Sequence, residues 1–134
     1  MADRVVFDTS AMISGLLWKG KSYHCLLLAR AGVIRSVYCN PMLAELTEKL
    51  REKFKYTENQ IHAVVADIRK YGEQVEIPGE LKMVHADADD DKFIECAIAG
   101  NASFIISSDN HLLTIGEYQK IKILSPGEFI SHFA

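Results

Sequence analysis

The chain of 134 residues has few cysteines and no cluster of metal-binding histidines. Its cysteines, Cys25, Cys39 and Cys96, lie far apart in apolar stretches and form no CxxC pair. We therefore expect three buried, reduced thiols rather than disulfides. Because no His or Cys residues stand at ligand spacing, a zinc site is also excluded.

The sequence also lacks long apolar runs and an excess of positive charge. No run approaches the roughly 20 residues that span a membrane, and the start at Met1–Arg4 has no signal-peptide pattern. We therefore expect a cytoplasmic protein with no membrane partner. The formal net charge of −3 argues against a protein that mainly coats nucleic acid. It still allows an enzyme that binds RNA at one site, because the carboxylates of a metal site make the net charge more negative.

The composition is that of one soluble globular domain over residues 1–134, with 49% hydrophobic and 25% charged residues. No repeat or linker divides it. Strands are predicted at residues 4–7, 33–39, 74–77, 104–106 and 121–124. Helices are predicted at residues 11–18, 21–31, 40–54, 57–71, 91–99 and 110–118 and from 125 onward, with a polar loop at 80–90. This alternation predicts an α/β fold with a mainly parallel sheet.

Four acidic residues are candidates for one site at the carboxyl edge of that sheet, where ligands bind in such folds. Asp8 and Asp109 follow strands, Glu45 lies on the helix after the second strand, and Asp91 begins a helix after the polar loop. Clustered carboxylates repel one another unless a cation lies between them. Mg²⁺ or Mn²⁺ would relieve that repulsion and could activate a water toward a phosphodiester.

Each acid alone also has an ordinary structural interpretation. Asp8 and Asp109 could be helix N-caps, and Glu45 could pair with Lys49 one turn later. Asp91 would suit the positive end of a helix dipole. The occurrence of all four acids, in order and at one edge, favours the joint metal site.

The acidic run Asp87–Asp91 raises the alternative of a calcium loop. An EF-hand beginning at Asp87 needs glycine at its sixth position and glutamate at its twelfth, where the chain has Lys92 and Ile98. The calcium loop is therefore rejected. We interpret Asp89 and Asp90 as capping or solvated acids.

Small polar residues flank the acids. Thr9, Ser10 and Ser107 could orient a water or contact phosphate, with helix capping as an equal alternative. Ser107 is favoured for a site role because it lies at a strand end beside Asp109.

Basic and aromatic residues offer a second, weaker signal. Lys49, Arg51 and Lys53 follow Glu45 and could form a phosphate-binding rim, although a solvated helix end is the default interpretation. Three aromatic residues could stack on bases, although packing in the core is favoured for them: Trp18, Tyr23 and Tyr38.

These motifs resemble those of PIN domains over nearly the whole chain. The similar segments are Val6–Ser10, Pro41–Glu45, Asp89–Ala97 and Phe104–Asp109, with 18 residues separating Asp91 from Asp109. The resemblance is closest to toxins of toxin–antitoxin pairs, the VapC-like ribonucleases. One position departs, because His111 stands where family members often have a further aspartate.

The resemblance implies a three-layer α/β/α fold and a metal-dependent endoribonuclease. Asp8, Glu45, Asp91 and Asp109 would then hold Mg²⁺ or Mn²⁺ and act as the catalytic residues. The implied partners are an RNA substrate, a cognate antitoxin and a second copy in a homodimer. The departure at His111 makes a site with a single metal a real alternative to a two-metal site.

Other function classes fit less well. A phosphatase of the haloacid dehalogenase type would need an aspartate where the chain has Ser10. A receiver-like phospho-acceptor would need a second acid after its first strand. A non-catalytic PIN-like module that binds a partner stays open, because fold resemblance does not decide function.

Overall fold

A computed structural model describes residues 2–79 and 90–133. Its elements in chain order are β1 (Asp3–Phe7), α1 (Thr9–Leu17), α2 (Lys21–Arg30), β2 (Ile34–Tyr38), α3 (Asn40–Glu52), α4 (Glu58–Tyr71), β3 (Gly72–Gln74), α5 (Asp91–Ala99), β4 (Phe104–Ile106), α6 (Asn110–Ile115), β5 (Glu117–Tyr118), β6 (Ile121–Leu124) and α7 (Pro126–Phe133). Within these two ranges every helix is too short or too polar to cross a bilayer. The predicted polar loop, with Asp87 and Asp89, lies outside the described residues except for Asp90.

The described strands form one sheet in the order β3-β2-β1-β4-β6-β5. The four pairings among β3, β2, β1, β4 and β6 are parallel, and only the short β5 runs antiparallel to its neighbour β6. Helices between the strands make this the expected three-layer α/β/α fold. The prediction of a mainly parallel sheet is confirmed.

The strand order creates a crevice at the carboxyl end of β1. From β1 the chain continues to β2 on one side, and β4 pairs with the other side of β1. Such a reversal of direction leaves room for a ligand between the two loops that leave the sheet. The register pairs Phe7 with Ile106, so Asp8 and Ser107 follow at neighbouring strand ends. The amide of Asp8 donates a hydrogen bond to the Ile106 carbonyl at 3.0 Å, which fixes this register.

The core lies around the two central strands. Val5 and Ile105 are fully buried, and α5 packs against β1, β2 and β4 with Ile94 fully buried. All three cysteines are buried and form no disulfide, as the sequence predicts. This packing holds the loops after β1 and β4 on a rigid base.

Three elements differ from the sequence-based prediction: β3, β5 and α6. The third strand is Gly72–Gln74 rather than residues 74–77, because it pairs with β2 at once where α4 ends. The hairpin of β5 and β6 was missed, and the sixth helix ends at Ile115 instead of continuing to residue 118. The hairpin turn places Gln119 and Lys120 at φ 47° and 73°. The Asn-Gly pair that usually marks such a turn is missing, so no local residue pattern predicts the hairpin.

We predict that Ile105→Ala destabilises the fold that carries the crevice. The side chain is fully buried, and removing it leaves a cavity that costs about 2–5 kcal/mol. Ile98→Ala is the matched control, because Ile98 is 41% exposed and its truncation costs within about 0.5 kcal/mol. Urea unfolding measures both. Equal losses for the two variants would contradict the packing described for β4.

Candidate metal centre

Asp8 is a buried carboxylate at the end of β1. Its side chain is 2% exposed. One oxygen, Oδ1, accepts hydrogen bonds from the Ser10 hydroxyl and the Ala11 amide, each at 2.8 Å. The other oxygen, Oδ2, accepts a hydrogen bond from the Ser107 hydroxyl. Asp8 is therefore the N-cap of α1, as the structural interpretation held, and it is also anchored to the loop after β4.

The pKa of the Asp8 carboxyl lies above its ordinary value. Burial raises its pKa, the hydrogen bonds from Ser107, Ala11 and Ser10 lower it, and the nearby charge of Asp109 raises it again; the net direction is upward. Removing a carboxylate from water disfavours its charged form. A cation at this position would offset the cost of keeping Asp8 ionised.

Asp109 is linked to Asp8 through Ser107. The fully buried Ser107 hydroxyl donates to Asp8 and accepts a hydrogen bond from the Asp109 amide at 2.9 Å. The Asp109 carboxylate caps α6 through the His111 amide at 3.0 Å and is half exposed. One hydroxyl thus fixes the positions of two acids on separate loops, whereas the predicted role of Ser107 in orienting a water or contacting phosphate stays a prediction.

Asp90 lies in the same group of potential ligands. One ligand atom from each of Asp90, Asp109 and His111 lies within 4.8 Å of the other two. Asp90 is 7% exposed and occupies the N-cap position of α5. Among the described residues, its side chain accepts no capping hydrogen bond from that helix. The interpretation of Asp90 as a capping acid is therefore not what the structure shows.

Asp91 lies one residue further along and is not part of that group. It is 4% exposed in the first turn of α5, where an acid suits the helix dipole. The Ser107 hydroxyl links Asp8 to the backbone of Asp109, and the joint metal site of the four acids stays a prediction. The acid from α5 that joins Asp109 is Asp90.

Glu45 reaches the cleft from α3 but is already engaged. One of its oxygens accepts a hydrogen bond from the Thr9 hydroxyl, and the other pairs with the Lys92 ammonium at 2.8 Å. The Glu45 and Lys92 side chains are only 23% and 14% exposed, so this ion pair is screened less than a surface pair. The Thr9 hydroxyl links Glu45 to the residue that follows Asp8, and Lys92 balances the charge of Glu45.

The predicted basic rim divides between two faces of α3. Lys49 and Lys53 lie one turn apart and both line the groove beside Glu45. Arg51 lies on another face and pairs with Glu58 at 2.6 Å, where both side chains are well exposed. Helical periodicity explains the split, since residues two apart point in different directions.

The donor set fits a hard divalent cation. Carboxylate oxygens are the ligands that Mg²⁺ and Mn²⁺ prefer, and the group in this crevice offers two carboxylates, from Asp90 and Asp109, together with an imidazole nitrogen of His111. Burial, and to a smaller extent the charge of Asp109, raises the pKa of Asp8, and a bound cation would favour its ionised form. Asp90, Asp109 and His111 have ligand atoms close enough together to hold such an ion, and the carboxylate of Asp8 lies near Asp109.

The sequence reasoning missed two residues of this site. Asp90 was hidden by its neighbours, because a run of consecutive acids gives no signal of which one faces the crevice. Lys92 contributes to the site by neutralising Glu45, and no sequence motif indicates that role. Its position one residue after Asp91 and its distance from Glu45 along the chain made that pairing invisible without the fold.

We predict that Asp8 makes the metal-free protein less stable as the pH rises. Its folded-state pKa lies above the usual 3.8, so the folded chain holds more protons than the unfolded chain in the interval between the two. Stability falls through that interval and is lower above it. Urea unfolding in EDTA from pH 3.5 upward should show wild type losing stability relative to Asp8→Asn. A constant or opposite difference would contradict the assigned burial cost.

Comparisons with known proteins agree with this geometry. The family model described as PIN domain matches residues 4–111. Among curated proteins, none matches the sequence. The crystal structure of VapBC2 from Rickettsia felis, bound to a DNA fragment from their promoter, superposes with a TM-score of 0.58 at 16% identity, covering 90% of this chain and 96% of that one. The T. brucei RRP44 PIN domain superposes with a TM-score of 0.52 at 15% identity, covering 99% of this chain and 82% of that one.

The two structures share the fold at low identity, and the family model spans both strands that frame the crevice as well as Asp8, Asp90 and Asp109. The chain belongs to the PIN domain family.

Proposed function

We propose that the chain is a metal-dependent endoribonuclease that hydrolyses phosphodiester bonds in single-stranded or looped RNA. The observation that carries the proposal is the group of Asp90, Asp109 and His111, whose ligand atoms lie within 4.8 Å of one another, beside the buried carboxylate of Asp8 at the crevice of a PIN domain. Their geometry supports a divalent cation, and the family supports nuclease chemistry. Single-stranded RNA is the favoured substrate because its backbone can enter a crevice between loops.

In this proposal the acids have different roles. Asp8 and Asp109 hold the ion from the two central strands, and Asp90 holds it from α5. Glu45 lies beside them and orients the attacking water or a second ion once Lys92 releases it. The resemblance and the spacing to Asp109 predict Asp91 as one of the four acids, and in this proposal Asp91 instead stabilises the start of α5.

Hydrolysis adds a water oxygen to phosphorus and breaks the bond to a ribose oxygen. A bound Mg²⁺ or Mn²⁺ ion would supply activation of the water and neutralisation of the phosphate charge. The chain's own residues do the positioning: Ser107 fixes the two strand-end acids, and Thr9 and Ser10 line the path beside them. Lys49 and Lys53 attract the RNA backbone from the groove on α3.

We predict that RNA cleavage requires Mn²⁺ or Mg²⁺, stops in EDTA and falls at least about 100-fold in Asp8→Asn. The loss exceeds the roughly 10–100-fold typical of residues that only support metal ligands, because we propose Asp8 as a ligand itself. Gel analysis of an end-labelled single-stranded RNA measures the rate. Cleavage that persists in EDTA, or full activity of a well-folded Asp8→Asn variant, would falsify the proposal.

Asp90→Asn and Asp91→Asn form a matched pair in the same assay. Both acids are buried at the start of α5, and each variant removes one charge without changing side-chain shape. We expect Asp90→Asn to lose activity as Asp8→Asn does, and Asp91→Asn to keep most of it. The reverse result would restore Asp91, the residue first expected from the sequence, as the ligand.

We further propose that the enzyme acts in the cytoplasm as the toxin of a toxin–antitoxin pair and forms a homodimer. The support is the shared fold with the VapBC2 structure. Analytical ultracentrifugation should show a dimer at micromolar concentration, and the product of a neighbouring reading frame should inhibit cleavage when the two are co-purified. A monomer at all concentrations would overturn the dimer without affecting the nuclease proposal.

A further inference from the structure

A cavity lies between α1 and α3 beside the acidic crevice. Its volume is about 280 Å³, close to the lower end of the roughly 300–1,000 Å³ range of small-molecule sites. The residues that line this α1–α3 cavity are Thr9, Ser10, Ile13, Ser14, Trp18, Lys49, Lys53 and Phe54. Its size suits one flat ligand group with a charged substituent better than a segment of folded protein.

The α1–α3 cavity shares a wall with the acids. Ser10 lines the cavity and donates its hydroxyl proton to Asp8 at 2.8 Å, and Thr9 lines it while donating to Glu45. The Ser10 oxygen also accepts a hydrogen bond from the Ser108 amide at 3.2 Å, which ties this wall to the loop after β4. A chain that occupied the cavity would therefore continue directly into the acidic crevice.

Trp18 forms one side of the cavity and is unusually exposed for a large hydrophobic residue. It follows the last residue of α1 and is 61% exposed, more than any other large hydrophobic residue among those the structure describes. Phe54 faces the same space from the end of α3 and is partly buried. Stacking on an aromatic ring stabilises single-stranded nucleic acid by about 1–3 kcal/mol per base. The arrangement offers an accessible indole next to a second ring.

The charge of the cavity selects an anionic occupant. Among the residues that line it, the charged ones are both lysines, Lys49 and Lys53. The neighbouring groove on α3 is mixed instead, because Glu45, Glu48 and Glu52 line it together with lysines. The Lys53 ammonium lies 5.7 Å from the centre of the Phe54 ring, so cation and aromatic surface meet at one edge. Aromatic rings, hydroxyl groups and paired cations together match a base attached to a phosphate.

We propose that the α1–α3 cavity binds one nucleotide of single-stranded RNA, with the base on Trp18 and Phe54 and the phosphate on Lys49 and Lys53. The neighbouring phosphodiester then lies at the acids. A base within a duplex is stacked on its neighbours and cannot enter, so the cavity selects unpaired RNA. This inference rests on the proposed ribonuclease function, and the experiment therefore measures binding separately from cleavage.

Trp18 is the only tryptophan in the chain, so its fluorescence reports on the cavity directly. Wild-type protein in EDTA is titrated with a single-stranded RNA of about ten nucleotides, within the site sizes of single-strand binders. We expect the tryptophan emission to be quenched with the same affinity that anisotropy of labelled RNA gives. The same sequence as a duplex should leave the emission unchanged.

Variants then separate stacking from charge. Trp18→Ala should weaken binding roughly 5- to 150-fold while Trp18→Phe keeps most of the affinity. Leu27→Ala is the matched control, because Leu27 is an exposed hydrophobic residue on α2 outside the cavity.

Lys49→Gln and Lys53→Gln should each reduce the slope of log binding constant against log salt concentration by about 0.7 per lost phosphate contact. Lys70→Gln on α4 is the control and should leave that slope unchanged. Circular dichroism checks that each variant folds.

Several outcomes would overturn the cavity assignment. RNA that binds without changing Trp18 emission, or duplex that quenches it equally, would exclude base stacking there. If Trp18→Ala breaks up a dimer and leaves RNA affinity unchanged, the face joins two copies and the nucleotide assignment is wrong. The two proposals fail separately. Quenching without any metal-dependent cleavage would remove the nuclease function alone, whereas cleavage that is indifferent to Trp18 would remove the subsite alone.

Discussion

The structure depends on one buried carboxylate. Asp8 lies 2% exposed at the end of the central strand and is held by hydrogen bonds from Ser10, Ala11 and Ser107. Burial raises its pKa, so those bonds stabilise the charge only in part. An ionised group kept at such a cost is the mark of a functional site more than of a helix cap, because an exposed cap gives the same hydrogen bond without desolvation.

The parallel sheet brings further acids close to the buried Asp8 carboxylate. The register between β1 and β4 places Ser107 next to Asp8, and the Ser107 hydroxyl then fixes the backbone of Asp109. Asp90 arrives from α5, which packs on the same two strands. The distances between these acids are therefore set by the packing of strands and helices and not by the sequence of the loops. The Lys92 ammonium balances the negative charge of Glu45, which comes from α3.

Much of this arrangement follows from the sequence, and the exceptions have physical reasons. Strand periodicity followed by a capping residue predicts Asp8 and Asp109, because both patterns are local. The choice between Asp90 and Asp91 turns on a rotation of about 100° at a helix start, which spacing along the chain does not resolve. Arg51 could have been separated from Lys49 by the same helical periodicity. The pairing of Glu45 with Lys92 joins residues 47 positions apart and required the fold.

The central claim is that the acids at this crevice hold a divalent cation. Isothermal titration of Mn²⁺ into metal-free wild type, Asp109→Asn and Asp67→Asn tests it most directly, because binding is measured without any substrate. Asp67 pairs with Arg30 at the surface and serves as the matched control. The account predicts saturable binding in wild type and Asp67→Asn and its loss in Asp109→Asn. No saturable binding in wild type, or equal binding in all three proteins, would contradict it.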